Sequence, residues 1–196
     1  MTIIIVPNDD KYSIPDLISE LLLIIGCAVV YFLFFKLNDH LFSAYEFAPG
    51  VNWISLPGGL GMLLVMVLFN AGVIGIAAAT GVITYMNGPS DEYLFSLLTG
   101  AVAGLAPLMA RQISVELFKL DGNLRNLTLA ILLKVSLVFS VMTALLQQVW
   151  YFWNDRSENF VVNSAVKAVG DLVGTVIILA TSMLLIKLYK MVRVRR

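Results

Sequence analysis

The sequence predicts an all-α fold, a polytopic membrane protein in which six transmembrane helices form one bundle with both termini in the cytoplasm. Three observations predict it. Of 196 residues, 59% are hydrophobic and 13% charged, and the mean hydropathy of +0.88 lies far above that of an ordinary soluble domain. Between Leu60 and Met86 there is no charged side chain, and the one strongly polar break is Asn70-Ala71-Gly72. The short polar stretches elsewhere are separated by apolar runs long enough to cross the hydrocarbon core, which takes roughly 20 residues of straight helix.

The stretch Asn52-Trp53-Ile54-Ser55-Leu56-Pro57-Gly58-Gly59-Leu60-Gly61 and the run after it form the centre of the reading. That run is too long for one ordinary span and suits two short helices turning at Asn70. Pro57 fits a first helical turn, where its missing donor costs nothing, while Gly58, Gly59 and Gly61 leave the backbone bare. Trp53, Pro57, Gly58, Gly59 and Gly61 are therefore expected to form a surface for a ligand or a partner. Interfacial anchoring is the plainer role for Trp53.

In order, Pro15 opens a first span over residues 15–35, with Asp16 and Glu20 in its early turns, where acidic groups suit the helix dipole. Residues 36–50 carry Asn38, Asp39, His40, Glu46 and Pro49 and read as a loop partly on the interface. Spans two and three are expected at 56–69 and 71–86, and span four at 93–118 after the turn-forming residues 87–92. Span five at 124–152 ends in Trp150-Tyr151-Phe152-Trp153, an aromatic belt, and span six covers 159–189 before a basic tail of Lys187, Lys190, Arg193, Arg195 and Arg196. An even span number with that tail places the termini inside by the positive-inside rule. Lys11, Lys119 and Arg125 fall on the same side, whereas the opposite loops are mainly acidic.

Zero formal net charge gives no general case for nucleic acid. A single cysteine, Cys27, cannot form an intramolecular disulfide, and the lone histidine, His40, does not make a metal site with scattered carboxylates. The N-terminus has no basic region or cleavage site of a signal peptide. No nucleophile-elbow, zinc-protease or phosphate-loop pattern occurs, so neither an enzyme, a metal nor a cofactor is expected.

Ionisable groups deep in a span cost several kcal/mol unless paired or wetted, which singles out Lys134, Lys167 and Asp171. Lys167 and Asp171 are four apart on one helical face. Lys134 is expected about ten residues into span five, near mid-membrane, where it could meet Asp171 between antiparallel helices. The trio either neutralises itself and locks the bundle or forms a ligand or proton site, and a relay would want more acids than Asp171. Gly100 with Gly104 and Gly170 with Gly174 are G-x-x-x-G pairs, suited to close helix packing inside the bundle or at a dimer seam. Pro107 is expected to kink span four.

Two of these places resemble MASE1, the multi-span sensor region that precedes bacterial histidine kinases and diguanylate cyclases. Trp53-Ile54-Ser55-Leu56-Pro57-Gly58-Gly59-Leu60 before paired short spans is similar to that family's approach to a helical hairpin, and Gly170-Asp171-Leu172-Val173-Gly174 to its G-D-x-x-G signature. The likeness covers about residues 52–186. It departs from the pattern just before Gly170, where Lys167 and Ala168 stand in place of an aromatic pair, and Arg196 is followed by no kinase or cyclase. The resemblance implies a non-enzymatic sensory or scaffolding module of a bacterial inner membrane that acts through another membrane or signalling protein. The alternatives are a small solute-binding transport subunit like the S components of vitamin importers, and a structural subunit of a membrane complex. Membrane lipid, a protein partner and a second copy of the chain are the partners these readings allow.

Overall fold

A computed structural model of the chain describes residues 14–89, 91–121, 126 and 128–194. Lys11, Arg125, Arg195 and Arg196, and with them part of the expected start of span five, lie outside the described residues. Among those described the chain forms six helices, α1 (Ile14–Phe42), α2 (Leu56–Leu68), α3 (Asn70–Asn87), α4 (Tyr93–Phe118), α5 (Leu129–Trp153) and α6 (Phe160–Val194). Four of them, α1, α4, α5 and α6, are long and apolar enough to cross a membrane.

The distribution of side chains is that of a protein solvated by lipid. Leucines, isoleucines and valines line the outside of every long helix, whereas Ser96, Thr99, Ser114, Ser136, Ser140, Gln148, Asn163, Asp171 and Thr175 are buried. A water-soluble bundle of this size would place them the other way round. Small residues at the contacts let the helices approach closely, as expected where lipid competes equally with protein for apolar surface.

Between α1 and α2 the all-α expectation is interrupted by a small antiparallel hairpin, β1 (Glu46–Ala48) and β2 (Val51–Asn52), pairing Glu46 with Asn52 and Ala48 with Val51. Gly50, at φ 74°, makes its turn. Residues 36–42, expected in a loop, instead continue α1. Asn38 is the physical reason, because its buried Oδ1 accepts the backbone N–H of Leu56 at 2.8 Å and so ties the end of α1 to the start of α2. The polar composition that suggested a loop belongs to a helix end facing a polar interior.

α2 and α3 form the helical hairpin expected around Asn70, turning at Phe69 with φ 40° and ψ −104°. Gly72 allows the return, since a Cβ there would stand 2.6 Å from the Leu64 carbonyl oxygen. At 13 residues α2 is only about 20 Å long and does not by itself match a hydrocarbon core of about 30 Å. Its N-terminus therefore starts part-way along the bundle, beside the middle of α6. Ser55 accepts the Gly58 N–H as N-cap and donates its own N–H to the Gly170 carbonyl at 3.0 Å. Within the irregular backbone of residues 53–55, the N–H groups of Trp53 and Ser55 are thus met inside the protein, by the carbonyls of Tyr45 and Gly170, as backbone away from water requires.

Candidate functional site

The two glycine-rich motifs meet. Side chains added at Gly170 or Gly174 would collide with the carbonyl oxygens of Asn52 and Ser55 respectively, and one at Gly59 would come within 2.5 Å of the Thr175 Cα. Gly58 lies against the Asp171 carboxylate in the same way. The start of α2 is clasped to α6 through backbone, which requires glycine on both sides. Gly100 and Gly104 do the equivalent for α4 against α3, where they face Ala77, Gly81 and Val73. Both G-x-x-x-G pairs are thus occupied within one bundle.

That contact turns the expected surface inward. Pro57, Gly59 and Gly61 are buried rather than presented to a partner, because the corner turns inward onto α6, and Trp53 alone is openly exposed, edge-on to Phe47. Pro57 nevertheless lines a cavity, and Gly58 and Gly61 line a second, smaller one.

Asp171 is 3% exposed and lies at the first turn of α2, whose N-terminal dipole favours a negative group. Its Oδ2 is 3.4 Å from Lys167 Nζ and 3.0 Å from the Thr143 hydroxyl of α5. The Thr143 hydroxyl also sits 2.7 Å from the Phe139 carbonyl oxygen and 3.3 Å from that of Ser140, and has one proton for the three acceptors. Asp171 Oδ1 is buried with no hydrogen-bond partner. A carboxylate so placed is held by one lysine, one shared hydroxyl and a helix end, with an acceptor to spare.

Lys134 does not take part. α5 begins only at Leu129, capped by Thr128, so Lys134 is about 8 Å along the helix rather than at mid-depth. It is also nine residues before Thr143, or about two and a half turns, and so projects from the opposite face, where it is exposed. The interhelical partner of Asp171 is Thr143, a residue that the search for intramembrane charges passes over because it carries none.

Above this pair a cavity of about 600 Å³ lies between α1, the hairpin, α3, α5 and α6. Tyr31, Phe35, Asn38, Asp39, Glu46, Asn87, Glu92, Gln147, Tyr151, Arg156 and Lys167 contribute to its wall. A smaller chamber of about 40 Å³ is bordered by Asp171, Thr143, Met62, Phe139 and Pro107 and shares Tyr31, Ser55, Pro57, Gln147 and Lys167 with the larger one. At the rim Arg156 is ion-paired with Glu92 and lies 5.0 Å from the centre of the Phe95 ring. Phe95 stacks in turn on Trp150, whose indole N–H reaches the Thr99 hydroxyl at 2.8 Å. The aromatic run at the end of α5 is therefore divided. Phe152 and Trp153 are outside, as an anchoring belt requires, while Trp150 and Tyr151 build the site.

Fold and site together define a helical membrane protein with a polar cavity ending at a buried carboxylate and ammonium pair. No protein-family model matches the chain, and neither the curated proteins nor the solved structures contain a match to it.

Proposed function

We propose that the protein is a non-enzymatic sensory module of a bacterial inner membrane that takes up a small polar ligand in this cavity and acts through a partner protein. The observation that carries the reading is the meeting of the Trp53 to Leu60 stretch with Gly170 to Gly174 at the cavity floor. These are the two places that resemble MASE1, and they are remote in sequence. A volume of about 600 Å³ falls within the range of ordinary small-molecule sites. Ligand uptake there would act directly on the α2 to α6 clasp, and α6 continues as one helix to Val194, beyond the cavity.

All six helices cross the membrane in this reading, with α2 and α3 as a pair of short spans and both termini cytoplasmic. Lys119 and Lys187 support that orientation, and Lys134, in the first turns of α5, joins them at the same end. The cavity rim, with Asp39, Glu46, Glu92 and Arg156, then faces the exterior.

The cavity also favours the second reading, a solute-binding transport subunit. Native mass spectrometry of the protein extracted in mild detergent, together with counterflow in proteoliposomes, tests the pair. A sensory module retains a small molecule and a stoichiometric protein partner and shows no counterflow. Counterflow of the retained molecule establishes transport, and absence of any small molecule removes both readings.

A further inference from the structure

We infer that the ligand is a small organic cation, an amine or quaternary ammonium compound, which enters past Asp39 and Glu46 and directs its charge toward Asp171 Oδ1; this rests on the ligand-binding reading above. Three independent features converge. The first is charge. The two adjoining cavities, which share five lining residues, are lined by four carboxylates, Asp39, Glu46, Glu92 and Asp171, and by two cations, Arg156 and Lys167, so the lining is net negative by two. Each cation is moreover already engaged, Arg156 with Glu92 and Lys167 with Asp171. An incoming anion would have to displace one of these carboxylates, whereas a cation displaces nothing.

The second feature is the buried acceptor. Asp171 Oδ1 has no hydrogen-bond partner although its residue is 3% exposed, and Asp171 is one of the residues that border the small chamber. Leaving a buried polar atom unpaired is costly, more so for a charged group, and the N–H of a protonated amine arriving in the chamber removes that cost, whereas a quaternary ammonium group offsets the charge alone. Lys167 Nζ does not supply the donor, because it approaches the other oxygen. A chamber of about 40 Å³ has room for a group of ammonium size.

The third feature is the aromatic wall. Tyr31, Phe35 and Tyr151 line the larger cavity with Phe95, and Phe95 already accepts a guanidinium against its ring. Rings beside carboxylates in a recess are the surroundings in which organic cations are recognised.

The test is binding to the full-length protein in lipid nanodiscs, with choline and putrescine as cationic probes and glutamate and glucose as anionic and neutral ones. At least one cation is expected to bind saturably, with glutamate and glucose inert. The Asp39→Asn, Glu46→Gln double variant alters only exposed rim side chains and is expected to weaken the cation about two- to tenfold, as loss of two partly screened charges implies. Asp171→Asn is expected to abolish binding, and the rim variant carries the test should Asp171→Asn not fold. Binding that neither substitution alters overturns the assignment, and so does failure of both cations. If glutamate or glucose binds instead, or if a retained molecule found by native mass spectrometry is not cationic, the cation inference falls while the ligand-binding reading stands. If no probe binds and nothing is retained, both fall.

Discussion

Asp171 Oδ1 occupies the space in which a side chain at Gly58 would begin, although the two residues are 113 positions apart and belong to different helices. This contact joins the start of a short helix to the middle of a long one, and it fixes where the buried charge lies. Gly58→Ala should therefore destabilise the protein by about 1–3 kcal/mol, the usual cost of forcing atoms into a filled site. The thermal midpoint in detergent measures it.

The α2 to α6 clasp makes a second, graded prediction. Gly170→Ala and Gly174→Ala place a methyl group against carbonyl oxygens of Asn52 and Ser55 and should lower the midpoint strongly. Gly26→Ala, in α1, meets nothing within 4 Å and should be neutral or stabilising by up to about 1 kcal/mol, as glycine to alanine is in an open helix. Equal effects at all three positions would show that the glycines act through helix propensity and not through contact.

The ion pair can be separated from the bystander lysine. Lys167→Met leaves a buried carboxylate without its cation and should cost about 3–5 kcal/mol, much of which Asp171→Asn in the same chain should restore. Lys134→Gln, on an exposed face, should change stability by less than about 0.5 kcal/mol and should be additive with Asp171→Asn. Non-additivity between Lys134 and Asp171 would place Lys134 back in the site.

How much of this could be read from the chain depends on the range of the signal. Apolar run length and turn composition located the helices, because both act locally, and the Asn70 break marked the α2 to α3 hairpin. Helical phase was legible for Lys167 and Asp171, which share one helix. Depth failed for Lys134, since it rested on a helix start placed five residues too early, an error of about 7.5 Å along the axis. Asn38 and Thr143 were invisible for another reason. An uncharged polar residue near a helix end or inside a span has no distinctive sequence signature, and its role here comes from what the fold brings to it. The hairpin β1 to β2 is too short for alternation to show.

Orientation is open to direct labelling. In a Cys27→Ser background, single cysteines at Ser43 and Asn154 should react with a membrane-impermeant maleimide in intact cells, and one at Lys187 only after permeabilisation. The reverse pattern would invert the topology and put the cavity rim in the cytoplasm.

The central claim is that the two glycine motifs interlock around one carboxylate, and a thermal-stability double-mutant cycle between Gly58→Ala and Asp171→Ala measures that most directly. Asp171→Ala removes two of the three atoms nearest to a Gly58 side chain. The account predicts that Gly58→Ala, costly in the native protein, loses most of its cost in the Asp171→Ala background. Additive losses would mean that the two residues do not touch, and would contradict it.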